Sequence, residues 1–223
     1  MKKKNSNTVS NSTGIRQTAM EQKRERILSG ASSLFRRQGI ENTSMEQISK
    51  EAQIGSATIY RYFPTKPQLV CAVASKYWLE LKERYLPLIE SDDYNAQTGH
   101  EQLKRILNLF ITLYEEHTDF LSFLADFDTY IKSSPLPAEQ LSGYEDIIFS
   151  LKEYAQQAIQ KGLADHTLHS LADTEEIYFT VFHCMLSTTQ KMALSGNLLP
   201  MDSKVSGKRQ LLLLTELLLQ GLA

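Results

Sequence analysis

The sequence predicts an all-α protein, and three observations support this fold class. Apolar residues recur at helical spacing through most of the chain. Capping boxes, in which Ser, Thr or Asp precedes Glu or Gln by three residues, begin at Ser44, Thr65 and Asp173. No segment alternates apolar and polar residues between turn signals, as a strand does. The 223 residues, 42% hydrophobic and 22% charged, have the composition of a soluble globular protein that needs no disulfide or metal to fold.

The N-terminal third divides into a tail and three helices. Residues 1–18 are rich in Lys, Asn, Ser and Thr, and we expect them to be disordered because they bury too little apolar surface. An amphipathic helix follows and closes at Gly39, a residue typical of left-handed helix ends. The second helix begins after Ser44, and the third covers residues 55–63 until Pro64 stops it.

The remainder of the chain predicts six further helices. A long fourth helix opens at Thr65, and Pro87 should kink or end it. Residues 91–99 are predicted to form a loop. Apolar stripes then mark helices over about 103–114, 120–130, 141–162, 173–196 and 211–222. We therefore expect about nine helices, and no internal repeat is evident.

Charge is distributed unevenly along the chain. Residues 1–70 hold 12 Lys/Arg against 5 Asp/Glu, a net +7, whereas residues 71–223 hold 12 against 21, a net −9. The basic N-terminal part indicates a polyanionic partner, and it remains basic when Lys2, Lys3 and Lys4 are left out. These three lysines either contact DNA or only keep the tail soluble. No apolar run is long enough to span a membrane, and no signal peptide is evident, so we expect a cytoplasmic protein.

Residues 44–63 follow the helix-turn-helix plan, in which the second helix enters the major groove of DNA. An ordinary short helical hairpin is the alternative. Composition favours DNA binding, because the predicted third helix exposes small or hydrogen-bonding side chains that can reach bases and phosphates. Lys66 follows at the start of the fourth helix, a position that favours phosphate.

Residues 26–70 resemble the N-terminal domain of TetR/AcrR-type transcriptional regulators, most clearly in Thr-Ser-Met-Glu-Gln-Ile-Ser-Lys-Glu-Ala (43–52) and Thr-Ile-Tyr-Arg-Tyr-Phe-Pro-Thr-Lys (58–66). The resemblance implies a DNA-binding domain over 19–66 and a ligand-binding and dimerisation domain over 67–223. It also implies a two-fold dimer through the last two helices. A small-molecule effector would then move the paired recognition helices out of register with DNA.

Carried over position by position, the resemblance also assigns DNA contacts. Ser56, Ala57 and Arg61 correspond to base-reading positions. The full set of expected DNA-contact residues is Ser44, Gly55, Ser56, Ala57, Thr58, Tyr60, Arg61, Tyr62 and Lys66. Two departures stand out: Gln53 occupies a turn position that is usually Gly, and Gly55 replaces the usual Ser cap. A non-Gly residue there predicts a strained or shifted turn.

An aromatic stripe in the sixth predicted helix belongs either to the core or to a ligand pocket. The expected pocket residues are Trp78, Phe110, Tyr114, Phe123, Phe127, Tyr130, Tyr178, Phe182 and His183. Asp126, Asp128 and His183 are its candidate polar groups, and surface carboxylates with a buried histidine are the alternative. The composition of this set predicts a mostly apolar or aromatic ligand.

The sequence thus predicts a homodimeric, effector-controlled repressor that binds a palindromic operator. We expect no cofactor and no metal, since His166 and His169 lack nearby carboxylates or cysteines, and Cys184 reads as an inert buried thiol. No catalytic signature is evident, so we do not expect this protein to be an enzyme. The alternatives are a structural DNA-binding protein without an effector and, less favoured, a helical enzyme using Asp126 and Asp128.

Overall fold

The computed structural model describes residues 7–196 and 198–222, with side chains described from residue 18 onward. The described residues contain ten α-helices, a short 3₁₀ helix at Pro200–Lys204 and no strand, so the predicted all-α class is confirmed. The α-helices are α1 (Asn7–Gln38), α2 (Met45–Glu51), α3 (Ser56–Tyr62), α4 (Lys66–Ile89), α5 (Asp92–Ala96), α6 (Gly99–Glu116), α7 (Thr118–Ser133), α8 (Ala138–Ala164), α9 (Thr174–Ser195) and α10 (Gly207–Gln220). None of these described helices is long and apolar enough to cross a membrane.

Helices α1–α3 and the start of α4 enclose a small core. Ile27, Ile48 and Ile59, one from each of the first three helices, are completely buried in it. The capping boxes at Ser44 and Thr65 are present, so α2 and α4 begin at the predicted residues. Caps and the apolar stripe together determine where each short helix lies and which face it buries.

Helices α4 and α6–α10 form the body. Helix α6 packs against α8, α9 and α10, while α4 packs along α8. Helix α7 joins the body to the N-terminal domain: the Phe123 ring stacks on Phe35 of α1 at 6.1 Å between centroids. The Ser32 hydroxyl of α1 lies 2.7 Å from the Tyr77 hydroxyl of α4. Motion in the body therefore reaches the N-terminal domain through packed side chains.

Two expectations about helix limits are corrected. The predicted disordered tail over 1–18 is helical from Asn7, since extending an existing helix costs little once a packed segment has nucleated it; residues 1–6 lie outside the described part. The predicted loop over 91–99 contains α5, capped by the Ser91 hydroxyl and anchored by buried Tyr94. In addition, Pro87 does not end α4, which continues to Ile89.

Helix α8 passes through Gly162, where the sequence predicted its end, and stops at Ala164. Gly162 lies against Gly99, the first residue of α6, so closely that the two backbones meet without side chains between them. The Asp165 carboxylate accepts a 2.8 Å hydrogen bond from the Gly99 N–H, which caps α6 from the end of α8. That bond and those from Thr167 hold the pKa of Asp165 below its usual value.

Candidate DNA-binding surface and ligand cavity

Helices α2 and α3 cross around a tight turn at residues 52–55. Ile48 of α2 and Ile59 of α3 are buried inside the angle. The Ser49 and Ser56 hydroxyls lie 3.4 Å apart across the turn. Because the inner faces of both helices are used for packing, the outer face of α3 is presented to solvent.

Gln53 holds the left-handed conformation that the turn requires, with φ of 53°. The turn is therefore strained rather than shifted. The Arg26 guanidinium of α1 donates to the carbonyls of Ala52 and Gln53 at 2.7 and 3.0 Å. These bonds satisfy carbonyls at the end of α2, so an arginine from another helix stabilises a turn that usually relies on glycine.

Replacing Gln53 with glycine should stabilise the protein. Relief of the left-handed strain should raise the free energy of unfolding by about 1–2 kcal/mol. The greater freedom of glycine in the unfolded chain should lower it by about 0.4–1 kcal/mol. The midpoints of these ranges leave an expected net gain of about 0.8 kcal/mol, measured by urea unfolding. Gln53→Ala retains Cβ and should gain nothing, and an equal gain in both variants would contradict the strain.

The structure presents most of the predicted DNA-contact residues on one surface. Gly55, Ser56, Ala57, Tyr60 and Arg61 are exposed on α3 and at its cap. Three others are half-buried, namely Thr58, Tyr62 and Lys66. Ser44 is exposed, but its side chain already caps α2. Within the described part of the chain, the Arg61 guanidinium has no hydrogen-bond or ion-pair partner, so it is available for a base edge.

Tyr60 is oriented by the preceding helix. Its hydroxyl donates to the Glu46 carboxylate of α2 at 3.3 Å, while 44% of the residue remains exposed. Partial desolvation, followed by the charge of Glu46, raises the pKa of Tyr60. The single hydroxyl proton is given to Glu46 here, so Tyr60 can donate to phosphate only after it leaves that carboxylate.

Lys66 has two partners inside the protein. Its ammonium donates to the Glu41 carbonyl at 3.2 Å and lies 5.1 Å from the centre of the Tyr130 ring on α7. Burial lowers the pKa of Lys66. This lysine thus joins the DNA-binding domain to α7 as well as standing at the N-terminus of α4.

The body encloses a cavity of about 340 Å³ between α4, α6, α7, α8 and α9. Its volume lies within the range of small-molecule sites. Five residues predicted for a pocket line this cavity: Trp78, Phe110, Tyr178, Phe182 and His183.

The other four predicted pocket residues lie elsewhere. Phe123, Phe127 and Tyr130 are buried in the core that joins α7 to the N-terminal domain. Tyr114 faces Gly207 at the start of α10. Their helical spacing is the same as that of pocket residues, so only the packing direction of α7 separates the two roles. Asp126 likewise points away from the cavity, toward Gly39.

Several cavity residues on α4 and α8 were missed. They are Leu81, Lys82, Tyr85, Leu86, Ile89, Tyr144, Ile148, Leu151 and Tyr154. The sequence patterns indicate Leu81, Tyr85, Ile148 and Leu151 only as apolar helix faces and do not single out the others. The available signal was the width of the apolar stripe, which is greater than packing against a single helix requires. Phe179 and His183 are exposed, so the cavity opens beside α9.

Tyr85 links the cavity to the junction between α6 and α7. Its ring lines the cavity, and its hydroxyl shares a 2.7 Å hydrogen bond with His117 Nε2, the residue between these helices. Two residues further on, Asp119 pairs with Arg36 of α1 at 3.3 Å. Burial and the charge of Arg84 lower the pKa of His117. A change in cavity content thus has a short route to the N-terminal domain.

The outer face of α9 and α10 is unusually apolar. Leu194, Leu213 and Leu217 are exposed, with Leu217 at 56%. Cys184 also lies on this face and is exposed, which corrects its expected burial. Exposed leucines on two adjacent helices are typical of an interface with another chain.

Among the side chains described, no group of three or more His, Cys, Asp or Glu is placed to hold a metal ion. His166 adopts a left-handed backbone with φ of 60°, and the His169 N–H donates to the Leu222 carbonyl. This segment therefore tethers the C-terminal end of α10 to the connection between α8 and α9.

Residues 27–73 match the sequence profile of bacterial regulatory proteins of the tetR family. The chain is 31% identical over 106 residues to the uncharacterized HTH-type transcriptional regulator YuxN of Bacillus subtilis (strain 168). That alignment covers 46% of this chain and spans only 34% of that relative's length.

Solved structures share the whole fold. The transcriptional regulator FadR from Bacillus subtilis, in complex with stearoyl-CoA, superposes with a TM-score of 0.63 at 16% identity, over 89% of this chain and 99% of that one. A protein from Saccharomonospora viridis described as a transcriptional regulator, in complex with choline, gives 0.68 at 17% identity, over 89% and 96%. At these identities the likeness concerns the fold.

The exposed outer face of α3, the packing of α3 on α2 through Ile48 and Ile59, and the basic front are typical of a DNA-binding helix-turn-helix domain. This N-terminal domain is that of the tetR family of bacterial regulatory proteins, as the sequence resemblance predicted.

Proposed function

We propose that this protein is a cytoplasmic, homodimeric transcriptional repressor, without enzymatic activity, that a small-molecule effector releases from a palindromic operator. The observation that carries the proposal is the course of α4. The helix begins at Lys66 beside the recognition helix, and its residues from Trp78 to Ile89 line the cavity. One rigid element therefore touches both sites, with residues 19–66 as the DNA-binding domain and 67–223 as the regulatory domain.

The proposed mechanism is a population shift. DNA favours one separation of the two recognition helices, and an occupied cavity favours another. The path from Tyr85 through His117 to the Asp119–Arg36 ion pair provides a second connection to α1. The exposed leucines of α9 and α10 supply the dimer interface, which would place two copies of α3 on half-sites ~34–36 Å apart.

The cavity favours an effector-controlled regulator over a purely structural DNA-binding protein. A structural protein needs only a filled core, whereas about 340 Å³ of space here is lined by apolar and aromatic side chains. The two similar structures with bound stearoyl-CoA and choline support the same conclusion, since each has a comparable body and a small molecule.

Fluorescence anisotropy tests DNA binding. Purified protein is titrated onto DNA from its own upstream region and onto scrambled DNA across a salt series. We expect a preference for the native DNA that Tyr60→Ala abolishes, together with the steep salt dependence of phosphate contacts.

Two results would contradict this proposal. Equal, salt-steep binding to native and scrambled DNA would favour the structural alternative. Absence of binding at low salt, with a folded dimer in sedimentation, would remove the role of α3.

A further inference from the structure

The ionisable groups of the cavity have unequal partners. Only Lys82, Asp128 and His183 among its lining residues carry a charge at accessible pH. The Lys82 ammonium donates to the Ser150 hydroxyl of α8 at 2.9 Å. Asp128 has no ion pair among the described residues and is exposed where α7 borders the cavity. Partial burial raises the pKa of Asp128, and the Gln190 side chain opposes that shift. An unpaired carboxylate at the edge of an apolar cavity favours a cationic partner.

Aromatic groups surround this carboxylate. Tyr144 is close enough that the Asp128 charge adds to burial in raising the pKa of Tyr144 to about 12. The Trp78 indole N–H donates to the Tyr144 hydroxyl at 3.2 Å, so these two rings lie together on the cavity lining that also includes Asp128. Aromatic faces attract cations within about 6 Å of their centres.

The rim of the cavity already holds a cation in this manner. The Lys152 ammonium lies 4.6 Å from the centre of the Phe179 ring and 5.4 Å from that of Tyr178, and it is paired with Glu175. Because Glu175 neutralises it, Lys152 does not repel a second cation strongly. The rings of this rim therefore accept ammonium groups.

Further carboxylates stand behind the cavity. The Tyr154 hydroxyl donates to Glu90 at 2.6 Å. The Tyr85 hydroxyl approaches Glu116 at 3.3 Å, but Arg84 already pairs with that carboxylate at 2.9 Å. Residues 71–223 carry a net charge of −9, which raises the local concentration of cations near the mouth. An anionic ligand would instead depend on Lys82 alone, whose ammonium gives one of its three N–H donors to Ser150.

We propose that the cavity binds an amphiphilic cation, with an apolar body along α4 between Trp78 and Ile89 and an ammonium group at Asp128, facing Trp78 and Tyr144. This inference rests on the proposed effector site and specifies its ligand class. The lining from Trp78 to Ile89 covers eleven residue steps of α4, about 16 Å, so the cavity suits an elongated body.

Trp78 is the only tryptophan of the chain, so its fluorescence reports the cavity directly. The test compares dodecyltrimethylammonium, dodecanoate and dodecanol, which share a twelve-carbon chain and differ in charge, below their aggregation concentrations. We expect the cation to bind at least tenfold more tightly than dodecanoate. Asp128→Asn should reduce the affinity for the cation about tenfold and leave the affinity for dodecanol unchanged.

Asp126→Asn is the matched control, because it removes the same charge two residues away on a side chain outside the cavity. If it weakens the cation as much as Asp128→Asn, the ammonium is attracted by the general field and the assigned site is wrong. Tightest binding of dodecanoate, lost in Lys82→Met, would overturn the ligand class while retaining the effector cavity. No fluorescence change with any of the three, in a folded protein, would contradict both the cavity's role and its ligand class.

Discussion

Gly99→Ala should destabilise the protein by about 3 kcal/mol or more, the upper end of overpacking costs. A Cβ at this position would meet backbone atoms of Gly162 and the Lys161 carbonyl carbon, the latter at 2.6 Å. Backbone cannot rotate away as a side chain can, so α6 and α8 must separate. For a chain of this size the melting temperature should fall by roughly 6–12 °C, measured by circular dichroism.

Gly143→Ala provides the matched control. Gly143 lies in α8, the helix that Gly99 of α6 packs against, and nothing stands within 4 Å of a Cβ built there. Alanine should therefore raise stability by up to about 1 kcal/mol through helix propensity. Unchanged stability in Gly99→Ala, together with this gain in the control, would show that α6 and α8 do not approach as closely as the structure has them.

Arg61→Ala should reduce affinity for the operator by about 5–150-fold, which corresponds to the loss of one bidentate base contact worth ~1–3 kcal/mol. Its guanidinium is exposed on α3 and unpaired within the described residues, so DNA binding requires no internal bond to break. Affinity for scrambled DNA should fall much less, because only the electrostatic part is lost there. Anisotropy titrations on both DNAs measure the ratio.

Arg209→Ala separates base reading from net charge. Arg209 is exposed on α10, so the substitution Arg209→Ala removes the same charge as Arg61→Ala on a helix other than α3. Its DNA affinity should stay within twofold of the parent protein at moderate salt, where exposed charges more than ~8–10 Å apart are screened. Equal losses in both variants, or an Arg61→Ala loss identical on both DNAs, would exclude Arg61 as a base-reading residue.

Local signals were sufficient for the DNA-binding part of the molecule. The capping boxes at Ser44 and Thr65 and the stop at Pro64 mark helix limits that the structure reproduces within a residue or two. Each signal acts over three or four residues, so it is readable without knowledge of the rest of the chain. The pattern of α3 correctly indicated that Ser56, Tyr60 and Arg61 are exposed, whereas Thr58 and Tyr62, which it also indicated, are half-buried.

The cavity depended on information that no local pattern contains. Phe123 and Phe127 on α7, like Phe182 on α9, occur at helical spacing, yet only Phe182 lines the cavity. The difference arises because Phe123 of α7 packs on Phe35 of α1, whereas Phe182 of α9 contacts Phe110 of α6 at the cavity. Likewise, the compensation of Gln53 by Arg26 joins residues 27 positions apart.

The amino-acid sequence was therefore enough to define the all-α class and the helix-turn-helix, because caps, breakers and periodicity are properties of neighbouring residues. The family followed separately, from the resemblance of residues 43–52 and 58–66 to known regulators. Tertiary structure decided which aromatic residues fill the core and which surround the cavity, and it placed Asp128 inside the rim and Asp126 outside it. The physical reason is that an apolar stripe specifies burial without specifying the partner, and the partner depends on how distant helices pack.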